Sequence, residues 1–105
     1  MPDPRVLVVD DNLEMARTLA ENLCDRDFAA EAVGSGSEAA DRLRQGGIDA
    51  MVTDLRMPQV DGLDLLSLSR SLVPERPVLI MTAFSAIDSA VESIRRGAYH
   101  YLTKP

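Results

Sequence analysis

A chain of 105 residues has room for one domain with its own core, and two would each be too small. Apolar residues at 46% and charged residues at 27% exclude a disordered tail, and six Gly and six Pro without a period exclude collagen-like and linker sequences. The 17 Asp and Glu against 11 Lys and Arg give a formal charge of −6, which argues against binding a nucleic-acid backbone or an anionic membrane and leaves room for divalent cations.

The elements follow in chain order. Val6-Leu7-Val8-Val9 is a continuous apolar run, as in a strand covered on both faces. From Leu13 the pattern turns helical, with Leu13, Ala16, Leu19, Ala20 and Leu23 on one side and Glu14, Arg17 and Glu21 on the other. Phe28 to Val33 is a weaker second strand. Ser35 and Glu38 have capping-box spacing and open a helix through Ala39, Ala40 and Leu43, ended by Gly46-Gly47. Ile48 to Thr53 is the third strand. Leu63, Leu66 and Leu72 mark a third helix, stopped by Pro74 and Pro77. Val78 to Met81 is the fourth strand. Ser85 with Asp88 gives a second cap signal, and Ile87, Val91 and Ile94 make the apolar stripe of a fourth helix closed by Gly97. Tyr99 to Thr103 is the fifth strand. Strict alternation of strand and helix implies an α/β fold with a parallel sheet and right-handed crossovers. A regular pattern would continue into a fifth helix after Lys104-Pro105, so the domain, spanning 1–105, is expected to be incomplete at its C-terminal end.

No secretory signal precedes the first strand, and no stretch reaches the roughly 20 apolar residues of a membrane span. The single cysteine, Cys24, forms no internal disulfide, so a reducing cytoplasm is the expected compartment. Cys24 lies near the apolar side of the first helix and reads as a buried, inert thiol.

In open parallel sheets, ligands bind outside the carboxyl ends of the strands. The first strand ends in Asp10-Asp11, the third in Asp54, the fourth in Thr82 and the fifth in Lys104. Three carboxylates placed together repel, and a hard divalent cation such as Mg2+ relieves them. Lysine and threonine suit the oxygens of a phosphoryl group, and a carboxylate can attack phosphorus. The set has the parts for Mg2+-assisted phosphoryl transfer to an aspartate.

Five segments, in order and each at an expected strand end, carry a resemblance: Val8-Val9-Asp10-Asp11, Thr53-Asp54-Leu55-Arg56-Met57-Pro58, Asp61-Gly62, Met81-Thr82-Ala83 and Leu102-Thr103-Lys104-Pro105. Together they resemble the receiver domain of bacterial two-component response regulators, over the whole chain. The resemblance implies a flavodoxin-like, doubly wound five-stranded sheet of order 2-1-3-4-5. It implies that Asp54 accepts a phosphoryl group from a sensor histidine kinase. Asp11, Asp54 and the backbone carbonyl of Arg56 would bind Mg2+, with Asp10 holding the site through water or a second contact. Thr82 and Lys104 would bind phosphoryl oxygens, Ala83 would leave room for them, and Tyr101 matches the family's switch aromatic. Lys104-Pro105 matches a bond that is typically cis in the family. Arg56 and Phe84 stand where side chains tune the phosphoryl lifetime. Phosphorylation would change the face formed by the fourth helix and fifth strand, where such domains dimerise or meet effectors. Without a fifth helix, an exposed apolar patch is expected there, with self-association or a disturbed fifth strand. The segments from Met81 to Phe84 and from Arg95 to Tyr99 look most like receivers of ATPase-type transcriptional activators, whose DNA-binding effector would lie beyond Pro105.

Plainer readings exist for each residue taken alone. Asp10-Asp11 would be a solvated turn or helix cap with Asp11 or Asn12 as the cap, Thr82 a β-prone strand end, and Lys104 a surface lysine. Packing explains Tyr101 as well as switching does. His100, the single histidine, reads as a strand surface residue. Asp3, Asp25, Asp27 and Glu31 read as solvated charge, and Met15, Met51, Met57 and Met81 as packing residues. Two other functions compete for the whole set. One is a receiver fold kept as a protein-binding module, which failure to bind Mg2+ would favour. The other is a phosphohydrolase, against which Arg56 stands where a second catalytic Asp would be needed.

Overall fold

All four residues of Val6-Leu7-Val8-Val9 are buried, because the strand they form, β1 (Arg5–Val9), sits inside a sheet with helices on both faces. The computed structural model describes residues 3–83 and 87–103. Around β1 the chain runs α1 (Leu13–Cys24), β2 (Ala29–Val33), α2 (Gly36–Gln45), β3 (Ala50–Asp54), α3 (Gly62–Leu72), β4 (Val78–Thr82), α4 (Ile87–Arg95) and β5 (His100–Thr103). The five strands are parallel, in the order β2-β1-β3-β4-β5. The third strand runs one residue further than Thr53, ending on Asp54, and Ile48 is buried ahead of its start.

The alternation of side chains along each strand divides the core in two. On one side Leu7, Val9, Met51, Val78 and Ile80 pack with Ala39, Ala40 and Leu43 of α2 and Leu65 and Leu66 of α3. On the other, Val6, Val8 and Val52 pack with Ala16 and Ala20 of α1. Among the described residues no helix is long and apolar enough to cross a membrane.

The helix ends are fixed locally. Asn12 caps α1 by accepting from the Met15 amide at 3.3 Å, and Ser35 caps α2 by accepting from Glu38 N at 3.2 Å. A reciprocal capping box opens α3: Asp61 Oδ1 accepts from Asp64 N and Asp64 Oδ2 from Asp61 N, each at 3.0 Å. The sequence pattern Asp61-x-x-Asp64 carries that signal. Gly97 closes α4 with φ +106, donating to Ile94 O at 3.0 Å. The cap expected at Ser85 lies outside the described residues.

Several expectations are corrected. Cys24 is exposed rather than buried, because it ends α1 where the chain turns toward β2; its Sγ lies 3.7 Å from Ala30 O. Met15 is exposed, while Met51 and Met57 are core residues. Leu72 is exposed, and Leu65 takes the buried place on α3. Glu31 is no free surface charge: it pairs with Arg42 of α2 at 2.9 Å and ties the edge strand to that helix. On α4, Val91 and Ile94 of the stripe face outward, 42% and 38% exposed, while Ser93 is fully buried; the Ile87 side chain lies outside the described residues.

Arg76, between α3 and β4, is buried, and among the described residues its Nε and Nη1 have no hydrogen-bond partner. Burial lowers its pKa, and the nearby Asp49 carboxylate opposes that shift.

Candidate functional site

The parallel register of β1 and β3 sets Val9 beside Thr53, so the residues that follow, Asp10 and Asp54, leave the sheet side by side. Asp10, Asp11 and Asp54 each present a carboxylate oxygen within 4.8 Å of the others. Asp10 is 1% and Asp54 8% exposed, while Asp11 faces solvent. Asp10 Oδ1 accepts from Asn12 N at 3.0 Å, which holds its carboxylate against the start of α1. Three hard anionic donors, two of them buried, form the donor set that Mg2+ takes, with solvent on the Asp11 side for its waters. The residues present therefore fit the ion.

The loop after β3 is fastened on both sides. Leu55 N donates to Met81 O and Gly62 N to Leu55 O, each at 2.9 Å. A Cβ on Gly62 would run into the Asp54 carbonyl, so only glycine lets α3 begin this close to Asp54. Arg56 is exposed, and its Nη2 donates to Ser89 Oγ of α4 at 3.3 Å.

Thr82 follows Met81, which pairs with Asp54 across β3 and β4. It is 1% exposed, and its Oγ1 donates to the carbonyl of Ala83 at 3.1 Å. Ala83 is exposed. Ile80 pairs with Tyr101, so Thr82 and Tyr101 lie on the same face of neighbouring strands. Tyr101 is half-buried against the α2/α3 core, with its ring edge-on to His100 at 5.7 Å. His100 is exposed, as expected of a strand surface residue.

The structure thus gathers Asp10, Asp11 and Asp54, and it places Thr82, Ala83 and Arg56 on the two strand ends beside them. Thr103 pairs with Thr82. Lys104, Phe84 and the Lys104-Pro105 bond lie outside the described residues. The contact between Arg56 and Ser89 was not foreseen from the sequence, since 33 residues separate them and no spacing rule connects them. A cleft of about 480 Å³ opens next to Asp10 on the α1 face, with Met15, Leu19, Met81 and Leu102 in its lining.

Residues 6–105 match the response regulator receiver domain family. The transcriptional regulatory protein ZraR of Klebsiella oxytoca is 36% identical over 100 residues, which is 95% of this chain and 23% of ZraR. The chain therefore spans about a quarter of that relative's length. A response regulator from Burkholderia pseudomallei, solved with a phosphorylated aspartic acid, a calcium ion and citrate, superposes with a TM-score of 0.88 at 32% identity. That match covers 98% of this chain and 61% of the other. The response regulator TrrA of Thermotoga maritima, solved with Mg2+ and BeF, gives 0.85 at 27% identity, covering 97% of this chain and 87% of the other.

Proposed function

The chain belongs to the response regulator receiver domain family, and from that premise we propose that it is a phosphorylation-activated switch whose phosphoacceptor is Asp54. The observation that carries this is the meeting of the Asp10, Asp11 and Asp54 carboxylates at one strand edge. Asp11, Asp54 and the Arg56 carbonyl would hold Mg2+, and Asp10 would support the site through water or a second contact. Mg2+ bound there would supply positive charge against the carboxylates and the phosphoryl oxygens.

The donor is a phosphohistidine of a sensor histidine kinase. An Asp54 carboxylate oxygen forms a bond to phosphorus as the P–N bond breaks, and the imidazole leaves with the bonding pair and takes a proton. Lys104 holds the phosphoryl oxygens as a point charge. Thr82 exchanges its bond to the Ala83 carbonyl for one to the phosphoryl group. Ala83, without a longer side chain, keeps the approach open. Tyr101, on the same face as Thr82, turns into the space the hydroxyl leaves, and the α4/β5 face changes with it. The chain catalyses only its own phosphorylation and dephosphorylation. In the whole protein, a cytoplasmic transcriptional regulator like the ZraR it resembles, that face controls a DNA-binding effector beyond Pro105 or a homodimer.

Intact mass after incubation with acetyl phosphate tests this. One phosphoryl adduct is expected with Mg2+, none after chelation, and none in Asp54→Asn. A folded chain that neither binds Mg2+ nor takes an adduct would instead be a protein-binding module. Steady turnover of a phosphomonoester would make it a hydrolase.

A further inference from the structure

Arg56 stands two residues after Asp54 and reaches across to the first turn of α4, where its Nη2 donates to Ser89 Oγ at 3.3 Å. Among the described side chains of that helix, Val91 and Ile94 face solvent and Ser93 is buried. The bond is single and exposed, and its acceptor is a neutral hydroxyl. A guanidinium prefers a doubly charged, multi-oxygen acceptor to a lone hydroxyl, because an oppositely charged acceptor adds Coulomb attraction and can take two parallel N–H bonds.

We propose that the Arg56–Ser89 hydrogen bond is a latch that holds the start of α4 to the phosphoacceptor loop, and that a phosphoryl group on Asp54 opens it by drawing the guanidinium away. The trigger rests on Asp54 being the phosphoacceptor; the latch itself does not. Phosphorylation adds close to two negative charges at neutral pH, two residues from a flexible cation. The Arg56 backbone stays with the metal site while its side chain changes partner. Loss of the Ser89 contact then frees the first turn of the helix from the phosphoacceptor loop. By linkage, anything that breaks the latch moves the unphosphorylated chain toward the phosphorylated arrangement of α4.

Amide hydrogen exchange over residues 87–95 of this chain reads the latch directly. Ser89→Ala is expected to speed exchange about two- to tenfold without any phosphoryl group, the range of one net hydrogen bond. Alanine is the better helix former, so a purely local effect of the substitution has the opposite sign. Arg56→Gln is expected to match Ser89→Ala, and the double variant to exceed neither, as one shared contact requires. Acetyl phosphate with Mg2+ is expected to speed the same amides in the unaltered chain and to add nothing in Ser89→Ala. Exchange in Ser89→Ala at or below the unaltered rate overturns the latch. An adduct on the unaltered chain that leaves α4 unchanged overturns the trigger. Failure to form any adduct sinks the phosphoacceptor assignment and the trigger with it, while the Ser89→Ala rate still decides the latch.

Discussion

At the scale of single residues, the three carboxylates set the chemistry. Asp10, Asp11 and Asp54 share a space within 4.8 Å, so without a cation each opposes the charge of the others. Two like charges at such a distance in water-like surroundings cost about 1 kcal/mol. Asp11→Asn is therefore expected to raise the stability of the metal-free chain by about that amount. It should also lose the gain that Mg2+ gives the unaltered chain, about 2.7 kcal/mol at a hundred times Kd. Thermal melts with Mg2+ and with a chelator measure both, and equal stabilisation of the two proteins by Mg2+ would remove Asp11 from the metal site. These carboxylates were legible in the sequence because a rule of parallel sheets places strand-end residues together, whatever the loops do. Cys24, Arg76 and Glu31 were not, since their surroundings depend on where a turn or a neighbouring helix passes. The sequence around Glu31 carries no mark of Arg42, eleven positions on.

At the scale of elements, α3 connects a helix start to Asp54. Its capping box fixes Asp61 and Asp64, and Gly62 then rests against the Asp54 carbonyl. Asp61→Ala is expected to cost about 1 kcal/mol in urea unfolding, the usual worth of a cap. Gly62→Ala is expected to cost about 1–3 kcal/mol, because its Cβ has no room without a backbone shift. It should also slow phosphorylation by acetyl phosphate, since the shift moves Asp54. A Gly62→Ala protein with unchanged stability and rate would show that the contact is not held in solution. Helix α4 marks the limit of periodicity as a guide. The spacing of Ile87, Val91 and Ile94 identified a helix, and α4 is there, but the period says nothing about which flank of it is covered. Here Val91 and Ile94 lie outside and Ser93 inside.

At the scale of the molecule, the parallel sheet of order β2-β1-β3-β4-β5 brings the carboxyl ends of its strands to one edge. The alternation of strand and helix was enough to read the parallel fold; the strand order came only with the family resemblance. The same architecture leaves Val91, Ile94 and Tyr99, the last 75% exposed, on the α4 side. Apolar exposure of this kind drives association. Sedimentation is expected to show a dimer that grows with concentration and is weakened by Val91→Glu, whereas a monomer at all concentrations would leave that face without a self-contact. The central claim is the bond between Asp54 and phosphorus, and peptide-level mass spectrometry after acetyl phosphate treatment tests it most directly. The account predicts one phosphoryl group, on the peptide bearing Asp54, present with Mg2+ and absent after chelation. A phosphoryl group on any other residue, or none on a folded chain that holds Mg2+, would contradict it.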